Sequence, residues 1–179
     1  MSHSELSHAC CRVIEQGLEL LETQSAASYT VKVEQAFNAS IGAHYRHCLE
    51  HFEALVEGAK TGIVDYDARK RDARIETDLN FARQRSRALL KELSEIQVED
   101  LAESVRVHCR VASGEGGSPS VESSLAREAM YAVAHTIHHY ALIKVLCELL
   151  EIKVPKDFGV APSTLHHQKQ SASPVLAQG

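Results

Sequence analysis

The sequence contains no tryptophan, and aromatic residues make up only 5% of its 179 positions. A hydrophobic core built from this composition has to be mainly aliphatic. No run of about 18 apolar residues occurs, so we expect no membrane-spanning helix. The amino terminus, Met1-Ser2-His3-Ser4-Glu5, lacks the basic start and apolar segment of a secretory signal peptide. These absences favour a cytoplasmic protein without a membrane partner.

The cysteines form no recognisable framework. There are five, an odd number, and no two of them have the spacing of a zinc-finger pair. Their count and spacing predict free thiols in a reducing compartment. The five are Cys10, Cys11, Cys48, Cys109 and Cys147.

The sequence also lacks an excess of positive charge. Its formal net charge is −5 and its pI is about 6.1, whereas nucleic-acid-binding proteins usually present a basic face. One basic run, Arg69-Lys70-Arg71, is flanked by aspartates and glutamates, which favours a mixed, solvated surface. We therefore predict no nucleic-acid partner.

Apolar residues recur at three- and four-residue steps in four segments, which is the pattern of amphipathic helices. Four such helices in a single domain predict an all-α four-helix bundle. The last helix is apolar on most sides, which predicts deep burial, and we expect Leu142, Leu146 and Leu149 in the core. The predicted helices cover residues 4–24, a segment from Asn38 or Ser40 to Gly58, residues 72–96, and a segment from Ser123 or Ser124 to Glu151.

A small β-hairpin is predicted before the last helix. Residues 104–112 alternate apolar with polar side chains, which is typical of a half-buried strand. Glycines and a proline at 114–119 then favour a turn, and residues 120–123 can form the returning strand. The insertion leaves the predicted order of the long helices unchanged.

The remaining segments are predicted to be connectors and a tail. Residues 25–37 are a polar connector, and residues 61–71 are a loop. We expect the bundle to occupy residues 1–152. Residues 153–179 are then an irregular C-terminal tail.

Six of the eleven histidines lie in two of the predicted helices. In the last helix, His135 and His139 are four residues apart, so their side chains lie on one helical face. Buried imidazoles without polar partners are unfavourable, and a shared metal ion would satisfy them. An imidazole from another helix would complete a site with three histidine ligands and an open position. The six are His44, His47, His51, His135, His138 and His139.

A helical wheel leaves the ligand from the second helix undecided. His44 and His51 border the apolar stripe of that helix, whereas His47 lies further round. His47 and His51 are also four residues apart, so this helix could supply two ligands. His138 lies on a neighbouring face of the last helix. Spacing alone therefore leaves His44, His47 and His51 as candidates.

The two histidine segments and the order of the long helices resemble the DinB/YfiT-like superfamily of bacterial four-helix-bundle proteins. The second helix carries the segment Ser40–Glu53 (SIGAHYRHCLEHFE), and the last helix carries His135–His139 (HTIHH). The resemblance covers roughly residues 5–152. It implies the same fold class as the periodicity, an all-α bundle with the hairpin insertion.

The resemblance also implies one divalent metal ion, held by one histidine of the second helix and an H-x-x-x-H pair of the last. The pair corresponds to His135 and His139. The other ligand in such proteins follows an apolar residue by six positions and precedes acidic residues by five or six. Ile41 and Glu53 have these positions relative to His47. The resemblance therefore implies His47 as the third ligand, with His44 and His51 as alternatives.

Members of the superfamily are mostly thiol-dependent transferases and isomerases or metal-dependent hydrolases. We therefore expect a hydrolase or a thiol-dependent transferase with a small-molecule substrate, and a low-molecular-weight thiol is a candidate partner. Imidazole ligands suit zinc, nickel and iron. The H-x-x-x-H-x-E motif of related sulfoxide synthases is absent, because Ala141 stands at the glutamate position. The alternative is a non-catalytic bundle, linked to stress, that binds metal or a small ligand.

Several side chains near the histidines are candidates for supporting roles. Arg46 could bind an anionic substrate or lie on the solvated surface. Superfamily bundles often pair, so a homodimer is also expected. The candidates for proton transfer or for contacts to the ligands are Tyr45, His51, Tyr131 and His138.

Overall fold

The computed structural model describes residues 3–97, 100–111 and 119–172. Two single-turn 3-10 helices lie at Glu34–Ala36 and Asp100–Ala102. The strands are β1 (Ile63–Asp65), β2 (Ser104–His108) and β3 (Ser120–Ser124). The α-helices are α1 (His3–Glu22), α2 (Ala26–Thr30), α3 (Ile41–Thr61), α4 (Ala73–Thr77), α5 (Leu79–Ser94), α6 (Leu125–Leu149) and α7 (Pro162–Ala172).

The four longest bundle helices pack around one hydrophobic core. α3 lies against α6, and α1 contacts both α5 and α6. The core is largely aliphatic, with three tyrosines and two phenylalanines among its fully buried side chains. The predicted all-α bundle with a small hairpin before its last helix is confirmed. Within the described residues, no helix is long and apolar enough to cross a membrane.

Both ends of α3 are set by local hydrogen bonds. The Ser40 hydroxyl accepts a hydrogen bond from the Ala43 backbone N–H at 3.1 Å, so Ser40, not Asn38, is the N-cap. At the other end Gly62 adopts a left-handed conformation with φ of 74°, which glycine tolerates without steric strain. Its N–H donates to the Gly58 carbonyl at 2.9 Å. These caps define where α3 begins and ends.

A three-stranded sheet lies beside the bundle, with β1 against α3 and β3 against α6. β2 and β3 form the predicted antiparallel hairpin, with Val107 opposite Val121. The predicted turn at 114–119 lies mostly outside the described residues. β1 pairs in parallel with β2, and it occupies part of the segment 61–71 that was predicted to be a loop. A three-residue strand is too short to show a period of two, which is why the sequence pattern missed it.

Three other segments differ from prediction. The connector at 25–37 contains α2, which buries Tyr29. The helix predicted over 72–96 is divided into α4 and α5 at Asp78, whose carboxylate accepts hydrogen bonds from the first backbone N–H groups of α5. The tail predicted to be irregular from 153 contains α7.

The last bundle helix is less buried than predicted. Leu146 is fully buried, but Leu142 and Leu149 are 38% and 48% exposed. α6 packs against α1 and α3 on one side, so part of its apolar surface, including Met130 and Val145, faces solvent. The prediction that all three leucines lie in the core was therefore wrong for two of them. Apolarity all round a helix does not say how many neighbours that helix has.

Candidate metal centre

The packing of α3 against α6 brings three histidines together. His47, His135 and His139 each offer one ring nitrogen, and these nitrogens lie within 4.8 Å of one another. The Nε2 atoms of His47 and His135 are 2.8 Å apart. The ring centre of His139 lies 4.5 Å from that of His47 and 4.6 Å from that of His135. The four-residue spacing on α6 and the helix contact together produce this cluster.

The three rings are held in their neutral form. Burial, with smaller contributions from His51 and His139, lowers the pKa of His47 to about 2. Burial followed by the neighbouring His135 lowers the pKa of His139 to about 3. The pKa of His135 is also lowered, mainly by burial. A neutral imidazole keeps a lone pair on one of its two nitrogens, and a metal ion requires such a lone pair, so these ring types suit a divalent cation.

His44 and His51, the alternatives from the second helix, flank this cluster. The Nδ1 atom of His44 lies 2.9 Å from Nδ1 of His139, and burial lowers its pKa. His51 is buried and donates its Nδ1–H to the His47 carbonyl at 2.8 Å. Its ring centre is 4.4 Å from that of His135, and burial lowers its pKa to about 4. Both residues therefore contact the three-histidine cluster from its edges.

A guanidinium occupies the outer side of His47. Arg69 Nη1 lies 2.7 Å from His47 Nδ1, and Arg69 Nε donates to the Tyr66 carbonyl at 2.7 Å. The nearest oxygen of Glu50 is 3.6 Å from Arg69 Nη1. Glu50 is a buried carboxylate that accepts the Asp72 backbone N–H at 3.0 Å. Its burial raises its pKa.

Two tyrosines form an aromatic wall beside the histidines. The ring of Tyr66 stacks on His51 at 5.2 Å, and the ring of Tyr131 stacks on His135 at 5.4 Å. The Tyr66 hydroxyl donates to the buried carboxylate of Glu128 at 2.9 Å. The Ser123 hydroxyl donates to the other oxygen of Glu128 at 2.7 Å. This wall shields one side of the cluster from water.

The other predicted supporting residues are placed differently. Tyr45 is fully buried, and its hydroxyl forms a hydrogen bond with Ser86 at 2.8 Å, so it is a core residue and not a proton donor at the site. Arg46 binds Glu76 at 2.6 Å and is half-buried, so it is neither free for a substrate nor fully solvated. His138 is exposed beside His139, with ring centres 5.6 Å apart.

Sequence patterns missed three residues of this region. Arg69 belongs to the basic run that was interpreted as a solvated surface, and that interpretation was wrong for this residue, whose side chain is 16% exposed. Tyr66 lies just after the unpredicted strand β1. Glu128 did carry a signal, because it lies seven residues before His135 and so shares its helical face.

A cavity of about 480 Å³ lies between α3, α5 and the segment after β1. Glu50 and Arg69 form part of its wall, so the cavity and the histidine cluster share the same ion pair. Charged side chains of both signs line most of the rest. They are Glu53, Glu57, Lys60, Asp65, Lys70, Arg85 and Glu92.

Comparison with solved structures shows the fold. A crystal structure of a DinB-like protein from Bacillus subtilis superposes with a TM-score of 0.58 and 19% identity, over 84% of this chain and 95% of that one. The chain therefore has a DinB-like fold. No family model matches the sequence.

One curated relative is similar in sequence. FK506-binding protein 5 of Rhizopus delemar is 34% identical over 108 residues, which are 60% of this chain. The chain spans 28% of the length of that relative. The name of the larger protein therefore assigns no activity to the part that the two proteins share.

Proposed function

We propose that the chain is a metal-dependent enzyme that acts on a small molecule, as a hydrolase or as a thiol-dependent transferase. His47, His135 and His139 would hold one divalent ion, with zinc or nickel favoured and iron as a further candidate. The observation that carries the proposal is the convergence of three neutral ring nitrogens from two helices within 4.8 Å. Three imidazoles leave a coordination position for water or substrate.

A divalent ion bound in this way supplies a Lewis acid, which lowers the pKa of bound water or stabilises a thiol as its thiolate. The residues around it provide orientation and shielding. Stacking on Tyr131 holds the His135 ring, and stacking on Tyr66 holds the His51 ring. A tyrosine hydroxyl is protonated at neutral pH, and burial raises the pKa of Tyr131 further, so this hydroxyl is available as a hydrogen-bond donor.

Metal analysis of protein purified without a histidine tag tests the proposed ligands. We expect one ion per chain in the wild type and almost none in His135→Ala. His138→Ala is the matched control, because His138 is an exposed neighbour on the same helix. It should retain the ion. Equal metal content in the two variants, or none in the wild type after loading with zinc, nickel or iron, would refute the ligand set.

An activity screen then separates the two reaction classes. Metal-loaded protein would be compared with chelator-treated protein for ester or amide hydrolysis and for conjugation of low-molecular-weight thiols. We expect turnover in one class that disappears with the chelator and in His135→Ala. A loaded protein that is inactive in both classes would contradict the enzymatic part of the proposal.

The second candidate function is a non-catalytic bundle that binds metal or a small ligand. It is favoured by the ring contacts themselves, since His47 pairs with His135 and His44 pairs with His139 at hydrogen-bond distance. Such pairs satisfy buried nitrogens without a metal ion. The cavity of about 480 Å³ gives a small ligand a place to bind. Metal-free wild-type protein with thermal stability unchanged by zinc would favour the form of this candidate that binds a small ligand, and bound metal without turnover would favour the form that binds metal.

A further inference from the structure

The hydrogen bond between Arg69 and His47 runs in the opposite direction to the one that a metal-binding histidine usually makes. A histidine that binds a metal ion ordinarily donates its outer N–H to a carboxylate or a carbonyl. Here the outer nitrogen of His47, Nδ1, faces Arg69 Nη1 at 2.7 Å. A guanidinium has only donors, so Nδ1 has to accept. The neutral His47 ring therefore carries its hydrogen on Nε2, the atom that faces His135.

His51 shows the opposite arrangement. Its Nδ1–H donates to a backbone carbonyl, which leaves its Nε2 without a hydrogen in the neutral ring. His47, by contrast, directs a hydrogen into the cluster, where it can be donated to Nε2 of His135 at 2.8 Å. In this arrangement the nitrogen of His47 that would bind a metal ion has no free lone pair.

We propose that Arg69 is a positioning residue of the metal centre. Its guanidinium binds His47 in the metal-free protein and moves to Glu50 when metal binds. The inference rests on the proposed function, since it takes His47 as a ligand. The hydrogen leaves Nε2 and one returns at Nδ1 through solvent, so the ring stays neutral. A metal ion at Nε2 would form one coordination bond, and two hydrogen bonds would break, Arg69–His47 and His47–His135.

Glu50 is placed to receive the guanidinium. Its oxygen is 3.6 Å from Arg69 Nη1, so a shift of about 1 Å would give the roughly 2.8 Å of a charge-assisted hydrogen bond. Its other cation, Arg46, is 3.9 Å away and is engaged by Glu76. The attraction between a carboxylate and a cation is stronger where the surroundings exclude water. Glu50 also lines the cavity, so the movement changes the cavity wall when the ion binds.

Nitrogen-15 NMR of the histidine rings tests the starting arrangement in the wild-type protein. We expect His47 in the Nε2–H form before metal is added and in the Nδ1–H form after zinc is added. An Nδ1–H signal in the metal-free protein would overturn the inference. This measurement needs no variant, so a folding defect cannot obscure it.

Affinity measurements with two Arg69 variants test the consequence. The Gln side chain can accept a hydrogen bond from Nδ1–H, so Arg69→Gln should bind zinc at least tenfold more tightly than the wild type in competition with a chromophoric chelator. Arg69→Lys keeps a cation that can only donate, and it should stay within about threefold of the wild type. Thermal melts establish that both variants are folded. Equal tightening in the two variants, or no tightening in Arg69→Gln, would overturn the inference.

A double-mutant cycle tests the role of Glu50. Glu50→Gln should weaken zinc binding in the wild-type background, because the displaced guanidinium loses its partner. The same change should have little effect in Arg69→Gln, and an equal effect in both backgrounds would overturn the inference. If no protein in the series binds metal, the proposed function fails. If metal binds but these differences are absent, only the role of Arg69 fails.

Discussion

Tyr66 connects the histidine cluster to a buried carboxylate. Its ring stacks on His51, and its hydroxyl is one of two donors that satisfy Glu128. Removing a donor from a buried carboxylate leaves part of its desolvation penalty uncompensated. This small network therefore stabilises the fold and fixes one wall of the site.

We predict that Tyr66→Phe lowers the free energy of unfolding by about 1–3 kcal/mol, because Glu128 loses a hydrogen bond. Urea denaturation monitored by circular dichroism measures the change. Tyr131→Phe is the control, since Tyr131 packs on the same cluster but is only half-buried. An equally large decrease in the free energy of unfolding of Tyr131→Phe would contradict the view that the lost hydrogen bond to Glu128 causes the effect.

The sequence predicted the histidines of α6 better than their partners. The four-residue spacing of His135 and His139 places them on one face wherever a helix forms. The wheel of α3 identified the buried stripe, but an average over a helix does not say which residue faces a given neighbour. The resemblance selected His47, and the structure brings it to within reach of His135. Arg69 reaches His47 only because the segment after β1 passes beside α3, which no local pattern encodes.

Close packing of α3 on α4 depends on Gly42. A Cβ atom at this position would lie 2.1 Å from the backbone carbonyl oxygen of Glu76, and backbone cannot rotate away as a side chain can. The same stretch of α3 carries His44 and His47. The absence of a side chain at Gly42 therefore allows α3, which carries the histidines, to pack closely on α4.

We predict that Gly42→Ala lowers the free energy of unfolding by about 1–3 kcal/mol, although alanine is the better helix former. Gly62→Asn is the control. Gly62 has open space around its Cβ position and a left-handed conformation that asparagine tolerates. Chemical denaturation of both variants tests the contact. A neutral or stabilising Gly42→Ala would show that α4 moves away without cost.

Helices with caps and long periodic stripes were predictable, and short elements were not. α2, α4 and β1 have five residues or fewer, so they are stabilised by tertiary contacts instead of by their own pattern. Tyr29 illustrates this, since its hydroxyl donates to the Ile75 carbonyl across 46 residues of sequence. The exposed apolar side of α6 was also unpredictable, because burial depends on how many elements surround a helix. The homodimer that would cover such a surface stays a prediction.

The bundle as a unit gains stability from any ligand that binds only its folded form. A metal ion present at a hundred times its dissociation constant would add about 2.7 kcal/mol. We predict that zinc raises the melting temperature of the wild type and leaves that of His135→Ala unchanged. Differential scanning calorimetry with zinc or with a chelator measures the shift. Equal shifts in both proteins would place the bound zinc outside the three-histidine cluster.

The metal-free protein should lose stability as the pH falls, and the sign follows from the histidines. Their folded pKa values are lowered to about 2, 3 and 4 for His47, His139 and His51, against about 6.5 in an unfolded chain. Below pH 6.5 the unfolded chain binds protons that the folded chain does not, so the free energy of unfolding decreases. Glu50 acts in the opposite direction near its own titration, because burial raises its pKa.

We therefore predict a continuous decrease in the free energy of unfolding from pH 7 to pH 4.5 in the presence of a chelator. Each neutral buried histidine contributes at most about 1.4 kcal/mol per pH unit. The variant with glutamine at 47, 51 and 139 should show a shallower slope, because glutamine does not take up a proton in either state. His166→Gln is the control, since His166 is exposed on α7 and its change should leave the slope intact. A wild-type slope equal to that of the triple variant would mean that the buried rings do not govern acid stability. The decrease would then have to come from groups other than these histidines.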